Sequence, residues 1–123
     1  LKFDNVSLPK GKPYGHIKIS RSFKFEFNIR KDDLTISFAS YGPANADDVI
    51  AWFEQQDLQG TKLLDKYPIN AEKGAKNPNV VRVVFSIPIN DKSDLNSSAV
   101  RDEADQLMTE MIGKLSGISE IDK

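Results

Sequence analysis

The sequence predicts an α+β domain: a mostly antiparallel sheet of four to five strands with two helices packed on one face. Three observations carry this. Stretches in the first third and near residues 80–89 alternate apolar and polar side chains with period 2. A C-terminal stretch repeats apolar residues at helical spacing. The length of 123 residues fits one domain, and 39% hydrophobic residues supply a core without staples.

Residues 1–13 hold two prolines, a glycine and no sustained period, which predicts an extended arm or linker. The domain proper is expected over 14–118, with 119–123 as a tail. From Tyr14 the pattern is β. Ile17 and Ile19 alternate with His16, Lys18 and Ser20, then Phe23, Phe25, Phe27 and Ile29 alternate with Lys24, Glu26, Asn28 and Arg30. One long bent strand and a hairpin turning at Ser20-Arg21-Ser22 both fit. No glycine or asparagine takes the turn, whereas 17 residues exceed the usual strand length.

Arg30-Lys31-Asp32-Asp33 reads as a turn, followed by a strand carrying Leu34, Ile36 and Phe38. Ser40-Tyr41-Gly42-Pro43 breaks the sheet. Asn45 caps a helix whose first turn holds Asp47 and Asp48, favourable at the positive end of its dipole. Val49, Trp52, Phe53 and Gln56 share its inner face, and Gly60 follows its end. Residues 61–69 predict a weaker strand and 70–79 a long mobile loop. Residues 80–89 form the clearest strand, Val81, Val83, Phe85, Ile87 and Ile89 facing one way; its other face, with Val80 and Val84, is partly apolar. Pro88 points to an edge or strand end. Asp94 or Ser97/Ser98 opens the last helix, with Val100, Ala104, Leu107, Met108, Met111 and Leu115 as its stripe and Gly117 as its close. The order is β-β-β-α-β-β-α, with one strand fewer if 14–30 is continuous.

Composition narrows the function. No cysteine is present, which removes disulfides, thiolate zinc sites and cysteine nucleophiles. No apolar run approaches a membrane span, and residues 1–12 do not look like a signal peptide, so a cytoplasmic protein with no membrane partner is expected. A start at Leu1 suggests a domain cut from a larger chain. The net charge of −1 hides a split: residues 1–31 carry eight basic and two acidic residues, +6, and the remainder carries −7. Such a split builds a basic surface for phosphates or an acidic partner, or it disappears as the halves pair on folding.

No catalytic constellation is legible. His16 is the only histidine and lies on a strand's polar side, with no nucleophile-elbow serine. Asp32-Asp33 and Asp47-Asp48 sit where a turn and a helix start favour aspartate, and neither resembles an EF-hand loop. Lys10-Gly11-Lys12-Pro13 lacks the spacing of a P-loop. Asp102, Glu103, Asp105 and Glu110 read as the solvated side of the last helix. No cofactor or metal is expected. The strongest candidate surface is the even-numbered face of the first β segment: His16, Lys18, Lys24, Asn28 and Arg30, joined by Arg21, Lys31 and the arm's Lys10 and Lys12. This stripe would contact nucleic-acid phosphates with strong salt dependence and little sequence preference. Tyr14 and Tyr41 are candidates for stacking on bases.

The order of segments resembles an uncharacterised bacterial domain family found at the C-terminal end of restriction-endonuclease-like proteins. The matching stretches are 23–29, 34–38, 46–56, 62–67, 80–89 and 100–115, with Tyr67 the aromatic nearest to the family's usual tryptophan. The resemblance implies an accessory domain of a DNA-directed protein and no catalytic residues. The order is also similar to secretion-chaperone folds without their first helix; those are acidic dimers that bind an extended peptide. Two functions therefore stand as expectations. One is a non-catalytic accessory domain of a larger bacterial protein that touches nucleic acid. The other is a protein-interaction or homodimerisation module, using the outer face of 80–89 or the Trp52 helix.

Overall fold

The alternation over 14–30 resolves as a hairpin. In the computed structural model, which describes residues 14–90, 97–118 and 121, β1 (Tyr14–Lys18) and β2 (Phe23–Ile29) run antiparallel, with Ile17 opposite Phe25 and Lys18 opposite Lys24. The connection spans residues 19–22, long enough that none of them takes a positive φ. The N–H groups of Ile19 and Ser20 both donate to the Phe23 carbonyl, at 3.0 and 3.1 Å. A wider loop thus replaces the glycine that a two-residue turn would need.

β3 (Asp33–Ser40) lies beside β2, and β7 (Val81–Pro88) beside β3, with the short β6 (Glu72–Lys73) outside β7. The sheet order is β1-β2-β3-β7-β6, all antiparallel. Register carries one layer across the middle strands: Phe27 faces Ile36, which faces Phe85; Phe25 faces Phe38, which faces Val83. All of these are at most 2% exposed. Both helices cover this side: α1 (Ala46–Gln55) brings Val49, Trp52 and Phe53, and α2 (Ser98–Lys114) brings Ala104, Leu107, Met108 and Met111. The α+β class, the antiparallel sheet and the two helices agree with the sequence prediction. Trp52, Phe53, Met108 and Met111 are core residues.

The helix ends follow local chemistry. The Asn45 side chain accepts from Asp48 N–H at 3.2 Å, and the Ser97 side chain accepts from Ala99 N–H at 3.2 Å. Ser97 is therefore the cap of α2; Asp94 lies outside the described residues. α1 stops earlier than Gly60 suggests. Asp57 takes a left-handed φ of 55°, while Leu58 N–H donates to the Phe53 carbonyl and Asp57 N–H to that of Glu54, the paired bonds of a Schellman close. Gln56 consequently sits exposed at the C-cap and not on the inner face.

Residues 61–79 depart most from the sequence reading. The single strand expected over 61–69 is a miniature hairpin, β4 (Lys62–Leu63) and β5 (Tyr67–Pro68), turning on Leu64 and Asp65 at φ 52° and 56°. Two consecutive positive-φ residues suit a tight hairpin, yet Leu-Asp is a poor local choice for them. Tertiary contact compensates, since Leu64 N–H donates to Glu110 on α2 at 2.8 Å. The stretch 70–79 is not a free loop either. Glu72 and Lys73 pair with Arg82 and Val81, and Gln59 brackets Ala71 by accepting from its N–H and donating to its carbonyl. At Gly74 any Cβ would lie 2.8 Å from the Asn77 carbonyl oxygen, so only glycine fits.

The α2 acids do more than solvate the helix. Glu103 accepts from the Tyr67 hydroxyl at 2.7 Å and Lys66 at 2.9 Å, tying α2 to the small hairpin. The Lys66 and Tyr67 hydrogen bonds hold the Glu103 carboxyl below its ordinary value against a weaker effect of burial. Ile121, in the stretch expected as a tail, packs against the core. The expected arm over 1–13 lies outside the described residues.

Phe38 sits where the three aromatic contributions meet, with ring centroids 5.5 Å from Phe23, 6.3 Å from Phe25 and 6.0 Å from Phe53. Truncation by Phe38→Ala should cost about 3–5 kcal/mol, measured as a lowered urea midpoint. A loss below about 1 kcal/mol would show that this layer is not the centre of the core.

Candidate functional site

The register that buries Phe23, Phe25 and Phe27 turns the even-numbered side chains of β1 and β2 to the opposite, open face of the sheet. Tyr14, His16 and Lys18 stand there in register with Asn28, Glu26 and Lys24. Thr35, Ser37 and Ala39 of β3 continue the rows, followed by Ser86, Val84 and Arg82 of β7. No helix crosses this face among the described residues.

A compact polar cluster occupies its centre. Arg82 Nε donates to Glu26 Oε1 at 2.9 Å, and Tyr41 Oη donates to Glu26 Oε2 at 2.7 Å. An Arg82 terminal nitrogen donates to Tyr41 Oη at 2.8 Å, closing the ring. Lys24 Nζ lies 3.9 Å from Glu26 and 4.4 Å from the Tyr41 ring centroid. Ala39, paired with Lys24 on one side and Arg82 on the other, is buried although it points to the open face.

Burial pushes the Glu26 carboxyl up, but the hydrogen bonds from Arg82 and Tyr41 and the charges of Arg82 and Lys24 outweigh it. The group therefore lies below its ordinary value. The Tyr41 phenol is raised, first by burial and then by the carboxylate it donates to. The bond to Glu26 likewise raises Arg82 against burial. Two cations share one carboxylate here, so the cluster keeps a net positive charge.

The structure divides the stripe expected from sequence. His16, Lys18, Arg21 and Lys24 gather at the corner made by the β1–β2 connection, where they line a concavity of about 260 Å³ closed by Tyr41. Asn28 lies further along β2, and Arg30 and Lys31 belong to the β2–β3 turn, roughly 20 Å from the corner at strand spacing. Arg30 faces Asp33 at 3.5 Å, and Asp33 also accepts from the Ser86 hydroxyl at 2.8 Å. Among the described residues, Lys18, Arg21 and Lys31 form no ion pair. Lys10 and Lys12 fall outside the described residues.

Glu26 and Arg82 belong to this site but not to the set read from sequence, and Tyr41, expected there as a stacking ring, is instead hydrogen-bonded to both. Parity placed Arg82 on the outer face of its strand; only the adjacency of β7 to β3 brings it within reach of β2. A second concavity of about 540 Å³ runs over the same face from Tyr14 and His16 to Asn28, Thr35, Ser37 and Arg82. Among the described residues no group of three or more His, Asp or Glu side chains could hold a metal ion, and no helix is long and apolar enough to cross a membrane. The chain matches no protein-family model, and comparison with curated proteins and with solved structures finds no match either.

Because the folded-state carboxyl of Glu26 is depressed, its stabilisation is present above its ordinary value of 4.5 and is lost as pH falls through the lowered one. Glu26→Gln should therefore destabilise the domain at neutral pH by about 1–2 kcal/mol. That difference should shrink on acidification below pH 4.5. Urea midpoints of both forms against pH test this; a gap that stays constant to the acid end would mean that the charge of Glu26 contributes nothing.

Proposed function

We propose that this chain is a non-catalytic accessory domain of a larger protein, contacting nucleic acid through the open face of its sheet at the Lys18–Arg21–Lys24 corner. One observation supports the reading above the others. In a chain of net charge −1, an uncovered sheet face collects Lys18 and Arg21, which have no carboxylate partner among the described residues, beside a cluster in which Lys24 and Arg82 outnumber Glu26. Phosphates are the usual recipients of such excess charge, and the contact needs no reacting group. The resemblance in segment order to a bacterial domain of restriction-endonuclease-like proteins favours DNA and a cytoplasmic setting, by analogy alone.

Pairing inside the fold changes which residues carry the contact. Lys24 remains in the corner but is shared with Glu26, and Arg30 with Asp33. Lys18 and Arg21 become the principal phosphate ligands, with His16 beside them, and Asn28, Arg30 and Lys31 extend the contact for a longer strand.

A second reading rests on the other end of the sheet. β6 pairs only with Val81 and Arg82, so from Val83 to Pro88 no described strand is hydrogen-bonded to the outer side of β7, although Tyr67 of β5 lies near Phe85, and Val84 is 55% exposed. Such an edge can accept a strand from a protein partner or a second copy of the chain. Capture of a partner that survives nuclease treatment and is lost in Val84→Lys would favour this reading.

For the nucleic-acid reading, three phosphate contacts predict that affinity falls roughly twenty- to fortyfold between about 50 and 200 mM salt. Lys18→Glu and Arg21→Glu should each lower affinity and flatten the salt slope, by about one unit for each phosphate that is no longer neutralised. Titration of labelled DNA by fluorescence anisotropy measures both. Binding that ignores salt, or that survives the double reversal, would remove the corner as the contact surface.

A further inference from the structure

We infer that the open face takes single-stranded nucleic acid in preference to duplex, with a base stacked on Tyr14 and the adjoining backbone led to the cationic corner. The inference rests on the proposed nucleic-acid role and specifies its substrate class. Tyr14 is 49% exposed, so a face of its ring is open to a ligand. It stands on the open face in register with Asn28, at the end of β1 opposite to Lys18 and Arg21. The concavity beside it carries the neutral hydrogen-bonding groups of Asn28, Thr35 and Ser37, and its lining continues to His16 and the Lys24, Glu26 and Arg82 cluster.

A surface for phosphate alone needs cations and nothing else. Here Lys18 and Arg21 stand at the corner, and an aromatic ring with amide and hydroxyl groups stands about 13 Å away along β1, with Arg30 and Lys31 beyond it on the β2–β3 turn. That is the division a nucleotide strand requires: π-faces and base edges in one place, phosphates in another. The Asn28 amide offers both a donor and an acceptor to a base edge. Thr35 Oγ1 donates to the Asn28 carbonyl at 3.3 Å, which supports the strand at this point. A duplex keeps its base faces stacked inside. It could use only the phosphate half of this surface, so the groups around Tyr14 would gain nothing from it.

The test compares a short oligothymidylate with a blunt duplex of the same strand length at roughly 50 mM salt, using the whole chain and fluorescence anisotropy. The single strand should bind about tenfold more tightly than the duplex. Tyr14→Ala should lower single-strand affinity about tenfold and leave duplex affinity unchanged, whereas Tyr14→Phe should retain it, since stacking needs the ring and not the hydroxyl. Tyr14 is half exposed, so the variant folds; its urea midpoint checks this. Equal affinity for both ligands, or the same loss on both in Tyr14→Ala, overturns the single-strand inference and leaves the interface standing. Absence of binding to either ligand at low salt overturns the inference together with the interface.

Discussion

The constraint on which the rest of the molecule depends is the register of β2, β3 and β7. Side chains alternate strictly between faces, so the pairing of Phe27 with Ile36 and of Ile36 with Phe85 decides every position on both sides of the sheet. A slip of one residue would put Lys24 and Glu26 into the core and three phenylalanines into water. Burying one such side chain contributes on the order of 2–3 kcal/mol, so the slipped arrangement is far out of reach. Hydrophobic burial on one face thereby fixes the geometry of a polar site on the other, although no side chain belongs to both.

Within that frame Glu26 governs the charge of the open face. It is the one acid among the β1 and β2 residues described, and it holds Arg82 and Tyr41 at hydrogen-bond distance with Lys24 close by. The cluster stitches β2 to β7 across β3, giving the uncovered face some of the order that the helices give the other. It also partitions the cations. Those near Glu26 are largely committed to structure, and those beyond its reach at the hairpin connection stay available to an anionic partner. Charge pairing and an exposed basic surface, which the split of +6 and −7 along the chain leaves as alternatives, thus coexist in different places.

Much of this was legible because period 2 is a strong signal. The alternation of Phe23, Phe25 and Phe27 gave strand, face and core membership, and the stripe from Ala104 to Met111 gave the last helix and its buried side. The illegible parts share a physical cause: their conformations are enforced by distant residues. Leu64 and Asp65 adopt left-handed geometry with Glu110 receiving the freed N–H, and β6 exists because β7 offers it an edge. The Schellman close at Asp57 was masked by the more obvious Gly60. Of the candidate site, the basic residues of β1 and β2 could be read directly. Arg82 could not, because it enters through strand order, which one sequence does not reveal, and Tyr41 was legible as an aromatic candidate but not as the partner of Glu26 and Arg82.

The central claim is one of place, that the open face around β1, β2 and the hairpin corner is the contact surface. Mapping amide chemical shifts on addition of a short oligothymidylate at low salt addresses it directly. The perturbed amides should cluster at residues 14–24, 28, 35–37 and 82, while those of α1, α2 and the β4–β5 hairpin stay still. Perturbations confined to the outer edge of β7 or to the helices, or none at all at saturating oligonucleotide, would contradict it.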